Sequence, residues 1–146
     1  MSDTRFVQPD GLFVPATLSS HVAIVGDDRR LVFVKGQLGI DQHRRLVGPE
    51  MREQAERAYR NIETALRAAG GALTDVVKFT VYVSRYTARD GEAIVAARHS
   101  VFPPGWAPPS TMIVVAGFVL PGALIEVEAI AAVQAGSVPC GAAVAD

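Results

Sequence analysis

A chain of 146 residues and 15.5 kDa has the length of one domain, large enough to bury a core without disulfides or a structural metal. Its 49% hydrophobic and 20% charged content excludes a disordered chain, and a net charge of -1 provides no basic stripe for nucleic acid. The one cysteine, Cys140, excludes an intrachain disulfide and a cysteine-based zinc cluster. Met1–Asp10 lacks the apolar run of a signal peptide, and the longest uncharged stretch, 103–125, is broken by five prolines and three glycines, so no membrane-spanning helix is expected there. These features point to a soluble, cytoplasmic protein without a nucleic-acid or membrane partner.

The N-terminal segment to Ser20 has no sustained periodicity and is expected to lie across the surface. Two apolar stretches follow, His21–Val25 and Arg30–Val34, and the Gly26-Asp27-Asp28-Arg29 gap between them reads as a hairpin. The second stretch runs into Lys35-Gly36-Gln37, where the glycine suggests a bulge or a close backbone approach.

From Pro49 the period changes. Met51, Ala55, Ala58, Tyr59, Ile62, Ala65, Leu66 and Ala69 form one continuous helical face, with Gly70-Gly71 as a left-handed stop. Val77–Ser84 alternates strictly and predicts a strand with Val77, Phe79, Val81 and Val83 inward. A second helix fits Asp90–Val101, with Ile94, Ala97 and Val101 on one side, and Pro103-Pro104-Gly105 ends it. Thr111–Ala116 and Leu124–Val133 read as strands joined by a turn around Leu120-Pro121-Gly122. The order is β-β-α-β-α-β-β in a single domain over residues 1–133, with 134–146 as a flexible tail.

Three stretches, in this order, resemble the Rid family (YjgF/RidA, also labelled L-PSP endoribonuclease-like). They are Leu31-Val32-Phe33-Val34-Lys35-Gly36-Gln37-Leu38, then Ala69–Val83, then Pro109–Ala116 continuing through Leu120-Pro121-Gly122 to Ile125-Glu126-Val127-Glu128-Ala129. The resemblance implies an α+β, chorismate-mutase-like fold in which a sheet carries both helices on one face. It further implies a homotrimer with small-molecule clefts between subunits, and hydrolysis of reactive enamines and imines with no metal or organic cofactor. An arginine in that family clamps the substrate carboxylate, a tyrosine from the N-terminal segment lines the cleft, and a glutamate on the last strand positions or activates water.

The chain departs from this pattern at two positions. Pro109 stands where the family has the arginine, and proline offers neither charge nor N–H for a bidentate clamp. Ser19 stands at the tyrosine position, whereas the glutamate is kept as Glu126. The implied activity is therefore an enamine/imine hydrolase or related tailoring enzyme with a non-standard substrate; the alternative is a trimeric binding protein of the same fold that has lost the chemistry.

Six residues are candidates for the site: Glu126 as catalytic carboxylate, and Lys35, Gly36, Thr111, Ser19 and Pro109 as substrate-binding positions. Glu126 and Glu128 share one strand face, which suits either a catalytic carboxylate with a structural partner or a solvated or intersubunit pair. Lys35 can hold an anion as a point charge or form a Schiff base when desolvated; otherwise it is a solvated strand-end lysine. His21, His43 and His99 share no ligand spacing, so no metal site is expected. Ser110 lacks a nucleophile-elbow context. Arg98-His99 reads as a solvated or intersubunit patch, Trp106 as packing in an irregular loop, and Cys140 as neither catalytic nor paired.

Overall fold

The sheet is built around the last strand rather than in chain order. In the computed structural model, which describes residues 4–15 and 19–137, the elements are β1 (Arg5–Val7), β2 (Val22–Ile24), β3 (Arg29–Leu38), α1 (Met51–Ala68), a 3-10 turn (Leu73–Asp75), β4 (Val76–Val83), α2 (Ala88–Val101), β5 (Ser110–Val114) and β6 (Ile125–Gln134). The main sheet has the order β3-β6-β4-β5. β6 is antiparallel to both β3 and β4, and β5 is parallel to β4, the direction that the α2 crossover allows.

α1 forms because its apolar residues recur on one stripe, of which Met51, Ala55, Ala58, Tyr59, Ile62 and Leu66 are buried. It ends as its glycines require: Gly70 takes φ +76°, its N–H bonds Arg67 O at 3.1 Å, and Gly71 N–H bonds Leu66 O at 2.8 Å. α2 starts two residues before the expected Asp90, because Thr87 and Asp90 cap it reciprocally: Asp90 N–H donates to Thr87 Oγ1 at 3.2 Å and Thr87 N–H to Asp90 Oδ2 at 3.0 Å.

Both helices cover the same sheet face, as expected for this α+β arrangement. Val76, Phe79, Val81 and Val83 point into that core, whereas Val77, expected inward, falls at a register shift of β4 against β6 and turns to the open side beside Lys78 and Pro109. Tyr59, Phe79 and Phe102 meet edge to face with centroids 5.3–5.7 Å apart. Gln54, fully buried, ties two loops to α1: its amide nitrogen donates to Gly48 O at 2.9 Å and Gly122 O at 3.0 Å, and its oxygen accepts from Leu124 N–H at 2.8 Å.

Two expectations are corrected. β2 and β3 do not form a hairpin. β2 pairs with β1, a strand absent from the expected order, through Phe6↔Ala23, while β3 pairs with β6 along most of its length. A ten-residue apolar strand gains more ladder and core contact from ten-residue β6 than from three-residue β2. The chain also stays structured past Val133: β6 includes Gln134, and Ala135 N–H bonds Asp28 O at 3.1 Å. The rest of the expected tail, with Cys140, lies outside the described residues.

Candidate functional site

Strand alternation puts one set of β4 and β6 side chains into the core and the other on the open face, opposite the helices. On β6 these are Glu126, Glu128 and Ile130; on β4 they are Lys78, Thr80 and Tyr82, with Tyr82 opposite Glu126 and Thr80 opposite Glu128. Tyr82 Oη donates to Glu128 Oε1 at 3.2 Å. Desolvation first, then the Glu128 hydrogen bond and the charges of Glu128 and Glu126, raise the Tyr82 pKa above its ordinary value, so the phenol stays a donor.

Glu126 lies directly against Gly36. A Cβ built at Gly36 would stand 2.7 Å from Glu126 Cδ and 2.9 Å from its Cγ, so only glycine leaves room for the side chain in this position. The β3–β6 register shifts between Val34 and Gln37, so the expected bulge and the expected close approach fall at the same place.

The other candidates gather two strands away. Ser19, Pro109 and Thr111 line an open cleft of about 930 Å³ together with His21, Val22 and Lys78. Lys78 Nζ donates to Thr111 Oγ1 and to Phe79 O, both at 3.1 Å, which orients the threonine on the open face. Pro109 contributes its carbonyl instead of a side-chain donor, accepting from Phe79 N–H at 2.9 Å. Ser19 is held by its own carbonyl, which accepts from Gln8 Nε2 at 3.0 Å.

Lys35 is exposed on the open face beside Phe33, and with Lys78, Thr80 and Glu128 it borders a depression of about 380 Å³. Among the described residues no ion pair joins it to Glu126. One chain therefore brings together Gly36 with Glu126, and Ser19 with Pro109 and Thr111, and holds the two groups apart across the sheet.

Three residues were not anticipated in these positions. Lys78 and Tyr82 were legible in principle, because the alternation that buries Phe79, Val81 and Val83 puts them on the face of Glu126 and Glu128. Arg98 is a correction: it is 8% exposed rather than solvated, with its guanidinium carbon 5.3 Å from the centroid of Phe79 and 5.9 Å from that of Phe102. It follows Ile94 by four positions and so falls on the buried stripe of α2. Trp106 does pack an irregular loop, edge-on to Phe6 with centroids 4.7 Å apart.

Among the described residues no helix is long and apolar enough to cross a membrane. The structure is similar to a Rid family protein, YyfB, from Yersinia pestis, with a TM-score of 0.81 and 26% identity, covering 89% of this chain and 98% of that one. It is also similar to RidA from a Psychrobacter species, with a TM-score of 0.63 and 28% identity over 88% of this chain and 99% of that one. A RutC family protein of Pyrococcus abyssi is 43% identical over 53 residues, 36% of this chain and 42% of that relative, so the match spans less than half of its length. The Endoribonuclease L-PSP family model matches residues 14–133, which takes in both halves of the site and all but the last residue of the main sheet. The chain belongs to that family, the Rid/YjgF proteins.

Proposed function

We propose that this chain is a cofactor-independent enamine/imine hydrolase acting in clefts between the subunits of a homotrimer. The observation that carries the reading is Glu126 lodged against Gly36 on an uncovered sheet face, two strands from Ser19, Pro109 and Thr111. A second copy seated on that face brings the Ser19 group of one chain to the Glu126 group of the next. The open face offers it Leu31 and Phe33, 51% and 73% exposed. Closed symmetry satisfies three such faces at once. Within this reading residues 1–133 are one domain, the protein works in the cytoplasm, and its ligand is a small molecule rather than nucleic acid.

With the imine protonated at nitrogen, Glu126 accepts a proton from water as the water oxygen bonds to carbon, and returns it to the amino nitrogen. As the C–N bond breaks, the hydroxyl proton passes to the freed carboxylate and on to solvent, and the carbonyl forms. The imine and water become a carbonyl compound and ammonia. An enamine enters the same sequence after protonation at carbon. With Pro109 in place of a clamp, losing a charge-assisted contact costs about 1.5–3 kcal/mol of binding to a carboxylate. The favoured substrate is then neutral, or smaller than the amino-acid-derived imines.

Ammonia release from 2-aminoacrylate and from uncharged imines tests this, alongside light scattering of the same sample. Faster turnover of the uncharged imine by a trimer supports the proposal; a monomer at micromolar concentration overturns the intersubunit cleft. Ligand-induced stabilisation without any ammonia release favours the second reading, a trimeric binding protein, for which the proline at position 109 argues.

A further inference from the structure

Behind β5, on the helix side of the sheet, lies a small chamber of about 140 Å³ bounded by Tyr59, Ile94, Arg98, Ser110, Met112 and Ser19. It is a different place from the cleft above. Thr111 faces the open side, and strand alternation turns Ser110 and Met112 to the opposite one. Ser19 and Ser110 border both spaces.

Arg98 is the chamber's unusual wall. It carries five N–H donors, yet its polar contact is Nη2 to Pro108 O at 3.4 Å, and its Nε has no hydrogen-bond partner. Among the described residues no carboxylate stands within ion-pair distance, although the side chain is more than nine-tenths buried. The rings of Phe79 and Phe102 hold the guanidinium but accept no hydrogen bonds in its plane. Burial of a charge is costly unless an opposite charge answers it. Burial also raises the Tyr59 pKa, which keeps that hydroxyl a donor at the same wall.

We propose that this chamber binds a small carboxylate anion of two to four carbons, with Arg98 as its counter-ion and the hydroxyls of Tyr59 and Ser110 as further donors. Volume sets the limit: at roughly 30 Å³ per water molecule the chamber holds the equivalent of four or five waters, too little for a nucleotide or a sugar acid. The site is independent of the hydrolytic reading, because it requires neither Glu126 nor turnover.

The test uses the full chain, with acetate and propionate as probes and gluconate, too large for the chamber, as the control at equal ionic strength. In ¹⁵N-labelled protein the Arg98 Nε–H resonance, assigned by its loss in Arg98→Met, is expected to shift saturably with acetate and propionate and not with gluconate. Thermal unfolding is expected to rise by several degrees with the two small acids in wild type, and to become indifferent to them in Arg98→Met. Should Arg98→Met not fold, Tyr59→Phe serves instead, with acetate affinity expected to fall about tenfold. An Arg98 resonance unmoved by acetate, or moved equally by gluconate, overturns the proposal, as does an Arg98→Met protein that keeps the acetate response.

Discussion

Glu126 and Gly36 occupy one another's space: the carboxylate arm of the first lies where any side chain on the second would have to be. Gly36→Ala is therefore expected to swing Glu126 to another rotamer, at about 0.5–1.5 kcal/mol in stability. Any activity that depends on the carboxylate should fall by a much larger factor. Denaturant unfolding set beside turnover checks this; a Gly36→Ala protein with wild-type turnover counts against Glu126 as the reacting group.

Glu126→Gln should lower imine hydrolysis by roughly 10²–10⁴-fold, the usual contribution of a positioned general base. Glu128→Gln should leave most of it. The second variant has its own signature, because Glu128 raises the Tyr82 pKa through a hydrogen bond and through charge. Neutralising it stabilises the phenolate, so the Tyr82 titration should move down toward 10.0 when followed by ultraviolet absorbance. No movement would mean that the Tyr82–Glu128 contact is not kept in solution.

Gln54→Leu is expected to cost about 2–4 kcal/mol, since Gly48 O, Gly122 O and Leu124 N–H all lose their partner in a buried place. The damage should reach Glu126, two residues beyond Leu124. Urea unfolding with hydrogen exchange at Leu124 reads both effects.

Asp41 accepts backbone N–H bonds from Arg45 at 2.9 Å and His43 at 2.8 Å, and pairs with the Arg45 side chain. The backbone bond from Arg45 leads the causes that lower its pKa from 3.8 to about 2. A depressed carboxylate value stabilises the folded state above the unfolded pKa and loses that contribution as pH falls through the folded one. Asp41→Asn should thus be less stable than wild type at neutral pH, with the gap narrowing between about pH 4 and pH 2. Midpoints measured across that range check the sign.

The sequence made the periodic elements readable. The stripe from Met51 to Leu66, the alternation from Phe79 to Val83 and the glycine at position 36 each announce a local geometry that the tertiary structure keeps, whereas a register shift turns Val77 away from the core. The partners of β2 and β3 were hidden because a hairpin signal is local, whereas ladder length and core contact are decided by a strand a hundred residues away. Arg98 was hidden by its charge: at position 98 the helical stripe is buried, and only the aromatic rings of Phe79 and Phe102 explain how a cation comes to sit there. The Thr87-x-x-Asp90 cap is visible as a motif and moves the start of α2 to Ala88. The site itself was legible as residues but not as a place, because its two groups lie on different strands of one face.

The central position of β6 has a consequence for synthesis on the ribosome. Until Ile125–Gln134 leaves the exit tunnel, β3 has no neighbour in the main sheet, β4 has only β5, and the apolar faces of α1 and α2 have half a floor. Closing the sheet then joins segments as distant as Arg29 and Gln134. Such long-range pairing slows folding to roughly the millisecond-to-second range of non-local topologies. The nascent domain is consequently exposed to chaperones and proteases until its last strand emerges.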